Sequence, residues 1–470
     1  MKKMIKKPYI GFVGESAADV TGSCYLIKHQ DDVIMLDCGM FQSNSLVGDY
    51  RVNHTKLSGV RPKEITAIIL SHPHQDHCGR IPELYKNGCT ATLYVPYGSK
   101  DILKVMGEDS VKIMQSDADK LRNKNGMNAS ALYSNEDVET MLQHIVEVDY
   151  GEAIKISDSA EFKYYNAGHT LYSSQILLTL WDNNKKTIIG YTGDIGSTNL
   201  RHPYIDNIEP LPYCDILIGE ATYSAKTRNH KPKDRITDIA KIKSVVQECV
   251  DSQTRLLIPV FAFDRLETML TMLYEAFDGK SPLPIIVDTP LGKKIAKCWS
   301  PTVDKELWDK VYHWNDIKWI DDFNESKLAQ DIGLPYIILA SSGMLTAGRA
   351  LSWLKSMLPN PNDKIMFCGY SGEGTISDDI KKGQKKYIVI DGESYKNKAK
   401  IITLNSFSSH MCHNELLDYY TKLNYGRIYL VHSNQDTKVT FAQELKELLA
   451  QDGRTSRVIV ANKETKVYLK

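Results

Sequence analysis

A cluster of metal-binding residue types follows an apolar run near the start of the chain. The segment Ile65–Gly79 reads ITAIILSHPHQDHCG, and four such side chains lie directly after its strand-like apolar part, namely His72, His74, Asp76 and His77. Imidazole and carboxylate groups are the donors that zinc and similar cations prefer. A tight loop leaving a rigid strand directs such donors to one small volume. The segment therefore predicts a metal site, dense enough for two ions.

Two metal ions need about seven protein ligands, so further donors must lie elsewhere in the chain. In YYNAGHTLYSS, His169 follows a glycine at a predicted turn. In YTGDIGS, Asp194 lies between Gly193 and Gly196, small residues that allow a close approach to an ion. Each residue taken alone is more often structural, but the HPHQDH cluster makes metal binding the favoured interpretation of both.

The predicted strands place ionisable residues at their ends. Five apolar runs do so: VIMLD ends at Asp37, AIILSH at His72, KTIIGYTGD at Asp194, DILIGE at Glu220 and RIYLVH at His432. Helical spacing of apolar residues lies between such runs, most clearly over Asp264–Phe277 and Phe441–Gln451. The polar stretch 107–148 predicts a helical insertion with a loop near 123–128. Strands that alternate with helices and carry chemistry at their ends indicate a layered α/β fold.

Composition excludes several classes of protein. The 470 residues are 42% hydrophobic and 25% charged, which is typical of a folded chain with two or three domains. No segment approaches the roughly 18 apolar residues of a membrane span, and no signal peptide is apparent, so we expect a cytoplasmic protein without membrane contact. The nine cysteines form no CxxC pair, which favours free thiols. With zero formal net charge, polyanion binding must depend on local basic patches and metal charge.

The order and spacing of the candidate donors resemble a known family. Asp37, the HPHQDH cluster, His169 and Asp194 resemble the four motifs of the metallo-β-lactamase fold.

The resemblance continues beyond the usual end of that fold. The segments IGEATYS around Glu220, SFSSHMCH around His410 and YLVHSN around His432 resemble motifs A, B and C of the β-CASP nucleases. Stretches such as PVFAFDR and ASSGMLTAGR also have counterparts there, so nearly the whole chain is covered. We expect a short-form RNA nuclease of this family, without a KH or other carboxy-terminal RNA-binding domain.

The resemblance implies an architecture of the α/β class. It is a metallo-β-lactamase αββα sandwich with an inserted α/β β-CASP domain. The metallo-β-lactamase domain would comprise residues 1–220 and 395–470, and the β-CASP domain residues 221–394. The active site would lie in the cleft between them.

The resemblance also implies two zinc ions and a role for each donor. Asp194 would bridge the two ions, and Asp37 would orient a ligand histidine by hydrogen bonding. The remaining ligands divide into His72, His74 and His169 for one ion, and Asp76, His77 and His432 for the other.

Hydrolysis of a phosphodiester needs a nucleophile and a proton donor. A metal-bridging hydroxide would attack phosphorus, with Asp76 among the catalytic residues. His410 would protonate the leaving oxygen, and Glu220 would favour the imidazolium form of His410. Alternatively, Glu220 caps a helix or pairs with a surface base.

The expected partner is single-stranded RNA. Members of the family that act on RNA resemble this chain at His432, whereas the DNA-repair branch usually has valine there. Arg265, Arg349 and Ser408 are the candidates for contacts with the substrate. We therefore expect a zinc-dependent endoribonuclease, with 5′–3′ exonuclease activity as a further expectation. Family likeness alone favours a homodimer.

Three alternatives stay open at this point. They are a metallo-β-lactamase-fold hydrolase of small substrates, a nuclease directed at DNA, and a catalytically silent scaffold. Hydrolases of small substrates have no β-CASP insertion, which argues against the first alternative. Catalytically silent relatives have lost metal ligands that this chain retains, which argues against the third.

The chain also departs from the family pattern near motif B. The family commonly has aspartate at Cys412, which is interpreted here as a small apolar residue or as an additional metal ligand. His413 is an alternative to His410 as the proton donor. The family pattern also favours glycine at Tyr172 and Ser433.

Overall fold

The structure is a computed structural model that describes residues 7–183, 185–200, 202–301, 303–332, 334–369, 371–372, 374–455 and 457–469. The chain forms two compact units. The first contains the described residues within 1–198, 206–229 and 409–470, and the second those within 199–205 and 230–408.

The described strands are β1 (Tyr9–Phe12), β2 (Tyr25–His29), β3 (Asp32–Leu36), β4 (Ala67–Ile69), β5 (Thr92–Pro96), β6 (Ile145–Val148), β7 (Ala153–Ser157), β8 (Ala160–Asn166), β9 (Ser174–Asp182), β10 (Lys185–Tyr191), β11 (Cys214–Glu220), β12 (Leu256–Pro259), β13 (Ile285–Asp288), β14 (Ile317–Trp319), β15 (Ile337–Ala340), β16 (Lys364–Phe367), β17 (Tyr387–Ile390), β18 (Glu393–Lys396), β19 (Lys400–Thr403), β20 (Tyr425–Val431), β21 (Arg457–Val460) and β22 (Lys466–Tyr468).

The described α-helices are α1 (Leu46–Asn53), α2 (Gln75–Cys78), α3 (Ile81–Lys86), α4 (Ser99–Asn125), α5 (Asn135–Gln143), α6 (Asp234–Ser252), α7 (Arg265–Ala276), α8 (Pro290–Cys298), α9 (Lys305–Tyr312), α10 (Phe323–Ile332), α11 (Arg349–Met357), α12 (Ile376–Lys382), α13 (His413–Lys422) and α14 (Gln435–Gln451). Short 3-10 turns lie at Glu15–Ala17 and Pro62–Glu64.

The first unit contains two seven-stranded mixed sheets. The strand order is β22-β1-β2-β3-β4-β5-β6 in the first sheet and β21-β20-β11-β10-β9-β8-β7 in the second. Strands β3 to β6 run parallel to one another, and so do β10, β11, β20 and β21. Because parallel strands end at the same edge of a sheet, the residues that follow them gather there.

The two sheets of the first unit pack face to face through apolar side chains. The core between them contains residues from both sheets, among them Ile34, Ile69, Phe162, Ile176 and Ile216. The outer face of the first sheet packs on α3, α4 and α5, and that of the second on α13 and α14. The unit therefore has four layers in the order α, β, β, α. Full burial of each large aliphatic side chain stabilises this arrangement by about 1.5–3 kcal/mol.

The second unit is built on a parallel sheet. Its strand order is β14-β13-β15-β12-β16-β19, and all neighbouring strands run in the same direction. The strands read as continuous apolar runs, such as Ile337–Ala340, because both faces of the sheet are covered. Trp353 of α11 is fully buried in the core of this unit.

The α/β class predicted from the sequence is confirmed. Helices over Asp264–Phe277 and Phe441–Gln451 are confirmed, although α14 begins six residues earlier, at Gln435. The polar stretch 107–148 is helical as predicted, but its first helix already begins at Ser99 and its last residues form β6. None of the described helices combines the length and the apolar composition needed to cross a membrane.

A buried lysine connects α14 to two loops of the first unit. Lys438 is fully buried, and its Nζ donates to the carbonyl oxygens of Ala17 at 2.5 Å and Ala461 at 3.0 Å. Burial lowers the pKa of Lys438 to about 8, although Asp19 opposes the shift. The folded pKa therefore lies below that of the unfolded chain, so the unfolded chain binds more protons between the two values.

We predict that the contribution of Lys438 to stability increases as the pH rises above about 8. The sign follows because deprotonation removes the cost of burying the charge only in the folded state. Relative to Lys438→Met, the wild-type chain should gain about 3 kcal/mol in the free energy of unfolding by pH 10.5. Urea unfolding of both proteins at several pH values measures this difference. If the difference in the free energy of unfolding between the two proteins is the same at pH 7 and pH 10.5, the pKa of Lys438 is not lowered in the folded chain.

Candidate metal centre

Backbone hydrogen bonds and one close backbone contact hold the HPHQDH loop in place. Residues Ser71 to His74 follow β4, and α2 then presents Asp76 and His77 in its first turn. Cys38 N donates to His77 O at 2.8 Å. A Cβ atom at Gly39 would lie 1.7 Å from Asp76 O, so only glycine allows this close approach. The end of β3 thereby holds the loop in place.

The side chain of Asp37 connects the HPHQDH loop to the second sheet. Its carboxylate is fully buried and accepts four hydrogen bonds: from Ser71 N and Ser71 Oγ at 2.7 Å each, from Tyr191 OH at 2.7 Å and from His77 Nδ1 at 2.6 Å. Because Nδ1 of His77 donates to Asp37, Nε2 of His77 is left to face the centre of the site.

Three further histidines are oriented in the same way. Each has one ring nitrogen on a protein oxygen, which leaves its other nitrogen for the site. His72 Nδ1 lies 3.0 Å from Ser71 Oγ, His169 Nδ1 donates to Ser409 O at 2.9 Å, and His432 Nδ1 lies 2.9 Å from Thr222 Oγ1.

One group of donor atoms consists of His72, His74, His169 and Asp194. Nδ1 of His74 lies 3.0 Å from Nε2 of His72 and 3.3 Å from Nε2 of His169. Oδ2 of Asp194 lies 3.6 and 3.7 Å from the same two Nε2 atoms. A tetrahedron with metal–nitrogen bonds of about 2.0–2.1 Å has edges of about 3.3 Å. The group therefore has the dimensions of one tetrahedral metal site.

A second group consists of Asp76, His77 and His432. Nε2 of His432 lies 3.3 Å from Nε2 of His77 and 3.3 Å from Oδ2 of Asp76. The other oxygen of Asp194, Oδ1, lies 3.4 Å from Nε2 of His77. The two carboxylate oxygens of Asp194 thus face different donor groups, as a carboxylate shared by two cations would.

The electrostatics of these groups fit a cation. Burial lowers the pKa of His72 and of His169, which favours the neutral imidazole that binds metal. Burial opposes ionisation of Asp194, but the neighbouring His432 and His77 hold its pKa well below the usual value. Oδ1 of Asp194 is buried and accepts no hydrogen bond from the described residues. A buried anionic oxygen of this kind needs a positive partner, so the residues fit a bound metal ion.

A third group adjoins the first two. Nδ1 of His410 lies 3.1 Å from Oε1 of Glu220, and Nε2 of His410 lies 3.9 Å from Oδ2 of Asp194. Glu220 is buried and also accepts hydrogen bonds from the backbone N–H groups of Ile195 and Thr222. Burial disfavours the charged form of His410, but the carboxylate of Glu220 outweighs this effect and raises its pKa.

Several polar residues that position the donors were not predicted from the sequence. Ser71, Tyr191 and Thr222 contact Asp37, His72 or His432, as described above. Ser71 directly precedes the HPHQDH cluster, so its position was a usable signal. Tyr191 lies at an apolar strand position, and its hydroxyl could not be assigned to Asp37 without the structure.

The candidates for substrate binding lie in the second unit. Arg265 Nη1 lies 3.3 Å from Oδ2 of Asp264, and Arg349 Nη1 donates to Asp322 O at 3.0 Å. Ser408 is the last residue of this unit. The predicted roles of these three residues stay predictions.

The residues that depart from the family pattern have structural partners. Cys412 is buried at the N-terminus of α13, where its backbone N–H donates to Glu415. His413 Nδ1 donates to Ser224 O at 2.6 Å, and its Nε2 lies 3.4 Å from Glu444. Neither residue belongs to any of the three groups of possible metal donors.

Three family models match the chain. The metallo-β-lactamase superfamily matches residues 17–109, the β-CASP domain residues 266–380, and the Zn-dependent metallo-hydrolase RNA specificity domain residues 394–457. The first match contains Asp37 and the HPHQDH cluster, and the third contains His410 and His432.

Similar proteins cover most of the chain. A transcription termination factor of Methanocaldococcus jannaschii is 27% identical over 93% of this chain and 69% of its own length. A ribonuclease of Thermus thermophilus is 27% identical over 93% of this chain and 95% of its own length. Integrator complex subunit 11 of Danio rerio is 28% identical over 95% of this chain and 72% of its own length.

A solved structure shares the fold. The crystal structure of a protein of unknown function from Enterococcus faecalis V583 superposes with a TM-score of 0.54 at 13% identity, covering 99% of this chain and 100% of the other.

We predict that Tyr191→Phe weakens the binding of a divalent metal ion by about 10- to 100-fold without unfolding the chain. Asp37 would lose one of its four donors, which loosens the orientation of His77. Competition against a chelator of known affinity measures the change. The control is Tyr164→Phe, since the hydroxyl of Tyr164 is also buried but donates to Leu70 O and Tyr94 O. Equal metal affinity of the two variants would contradict this role of Tyr191.

Proposed function

The chain belongs to the metallo-β-lactamase superfamily and to its β-CASP group, and from this premise we propose that it is a two-zinc ribonuclease that hydrolyses phosphodiester bonds of single-stranded RNA. Membership of the family makes it a metal-dependent hydrolase. The proposal adds the identity and number of the metal ions, the substrate and the role of each side chain.

One observation carries the proposal. The two carboxylate oxygens of Asp194 face two separate groups of donors, and the His410–Glu220 pair lies beside the same carboxylate. Two such donor groups could hold two cations, and cations beside a histidine that is held by a carboxylate would supply charge stabilisation and a proton donor for hydrolysis of a phosphodiester.

Asp194 would be a ligand of both ions, and the other six donors would divide into two sets of three. Nitrogen and oxygen donors in tetrahedral groups favour zinc, and no cysteine belongs to either group. The ligands of one ion are His72, His74 and His169, and those of the other are Asp76, His77 and His432. When bound, the two ions would lower the pKa of a shared water and offset negative charge on the phosphate.

His410 is the proton donor of this proposal. Its Nδ1 faces Glu220, so Nε2 carries the proton that passes to the leaving ribose oxygen. Glu220 is fixed by two backbone N–H groups and stabilises the imidazolium form. His410 is also more exposed than the proposed ligand His169: 16% of its side chain is accessible, against none of that of His169. This exposure suits a group that must meet a substrate.

RNA is the substrate that the comparisons favour. The match to the RNA specificity domain includes both His410 and His432, and a relative from Thermus thermophilus is named a ribonuclease. These matches make hydrolysis of RNA the favoured activity over hydrolysis of DNA or of small substrates.

The finer properties of the protein belong to the same proposal. We assign residues 1–220 and 395–470 to the metallo-β-lactamase domain and 221–394 to the β-CASP domain. A cytoplasmic location is supported by the nine cysteines, all of which are free. Endonucleolytic cleavage with added 5′–3′ exonuclease activity, and a homodimer, follow from family likeness.

We predict that purified protein contains close to two zinc ions per chain and cleaves unstructured RNA labelled at either end, but not the DNA of the same sequence. Elemental analysis and a gel of the two digests test both statements on one preparation. Removal of metal should abolish cleavage, and added zinc should restore it. Full cleavage by metal-stripped protein, or equal cleavage of DNA, would refute the proposal.

We predict that His410→Ala lowers kcat by about 10²- to 10⁴-fold and leaves the zinc content unchanged, because a proton donor is lost and no ligand is removed. Single-turnover cleavage and metal analysis of the same sample measure both quantities. His413→Ala is the matched control and should retain kcat, since His413 contacts Ser224 and Glu444. Loss of zinc from His410→Ala would instead make His410 a ligand.

A further inference from the structure

We propose that five side chains at the edge of the first sheet form an accessory binding surface for single-stranded RNA. This inference rests on the proposed function as a ribonuclease. This edge patch consists of Lys7, Tyr9, Lys28, Lys466 and Tyr468. It lies away from the donor groups of the metal centre and would hold part of the RNA outside the reaction site.

The register of three strands brings the patch together on one face. Tyr9 of β1 pairs with Lys28 of β2 on one side and with Tyr468 of β22 on the other. Alternate residues of these strands, such as Ile10 and Val467, point into the core. The patch residues therefore share the opposite face, because successive side chains of a strand alternate. Strand β22 is the edge of this sheet within the described part of the chain.

The aromatic rings and the ammonium groups of the patch are interleaved. Nζ of Lys466 lies 3.8 Å from the ring centroid of Tyr9 and 5.5 Å from that of Tyr468. The two ring centroids are 6.5 Å apart at an angle of 58°. Lys7, Tyr9, Lys466 and Tyr468 line a surface depression of about 480 Å³.

Charge favours a polyanion as the occupant. The patch contains three lysines, and no carboxylate of the described residues lies within ion-pair distance of Lys7, Lys28 or Lys466. Tyr468 is 53% exposed, which leaves its ring accessible for stacking. Bases that stack on tyrosine while lysine contacts the phosphates are the mode in which open sheets bind single strands. A double helix offers no free base face to these rings.

The patch is within reach of an RNA held at the metal centre. Ser16 lies seven positions after Tyr9, so their Cα atoms are no more than about 25 Å apart. The carbonyl oxygen of Ser16 accepts the backbone N–H of His432 at 2.7 Å. An RNA of about 20 nucleotides is long enough to occupy both places at once. The surface should therefore lower KM for long RNA and leave kcat unchanged.

The test measures equilibrium binding of a fluorescent uridine 20-mer to the zinc-loaded protein on ice, with the intact RNA checked on a gel. Tyr468→Ala should weaken binding about tenfold, as loss of one stacked base would. Lys466→Ala should also reduce the slope of log K against log salt concentration by about 0.7, as loss of one phosphate contact from a single strand would. Lys466→Arg should restore that slope.

Matched controls come from exposed residues of the same unit that have acidic neighbours. Lys155→Ala removes a lysine paired with Asp158 at 2.7 Å, and Tyr213→Ala removes a tyrosine whose hydroxyl donates to Asp215. Both controls should bind the 20-mer as the wild type does. Equal loss of affinity in the controls, or wild-type affinity and salt slope in both patch variants, would overturn the proposal.

A second measurement separates this proposal from the proposed function. Photo-crosslinking of a 4-thiouridine 20-mer, followed by mass spectrometry, should label Tyr9 or Tyr468 whether or not the RNA is cleaved. Cleavage without labelling at the patch would overturn the patch alone, and labelling without cleavage would support the patch while refuting the ribonuclease. A wild-type dimer that Tyr468→Ala converts to a monomer with unchanged RNA affinity would make the edge an interface between copies, which also overturns the proposal.

Discussion

The buried carboxylate of Asp37 is the interaction on which the site depends. A buried charge is costly unless hydrogen bonds replace its water, and Asp37 accepts four of them. Its donors come from the end of β4, from β10 of the second sheet and from the helix that contains His77. The same carboxylate therefore ties the facing edges of the two sheets together and fixes the orientation of a histidine. Removal of any donor would loosen both at once.

Several of the other donors follow from the direction of the strands. Strand β4 of the first sheet ends at the HPHQDH loop, and strands β10, β11 and β20 of the second sheet end at Asp194, Glu220 and His432. Packing the sheets face to face brings these ends to one place. One nitrogen of each anchored ring contacts a protein oxygen, so the other ring nitrogen faces this place. Imidazole nitrogens and carboxylates gathered in one small volume favour a metal cation as the occupant.

The sequence predicted the types of site residues better than their connections. Apolar runs that end at Asp37, His72, Asp194, Glu220 and His432 predicted strands, and each of these strands is present. The position of each carboxylate oxygen of Asp194 beside a different donor group could not be predicted. Residue spacing contains no information on which oxygen of a side chain faces which donor. The same holds for Tyr191 and Thr222, whose apolar or turn surroundings gave no polar signal. The early start of α4 at Ser99 was missed, since propensity alone marks helix ends poorly.

Backbone geometry distinguishes two of these residues from ordinary strand ends. Asp37 and His432 have positive φ angles of 55° and 59°, a conformation that side chains other than glycine rarely adopt. Such residues persist where the surroundings fix them, and both are fixed: Asp37 by its four donors, and His432 by Ser16 O and Thr222. In each case the turn directs the side chain away from the strand and into the site. Glycine would relieve the backbone strain at either position, but it would remove the side chain. The strained backbone is therefore kept where the chemistry requires a carboxylate or an imidazole.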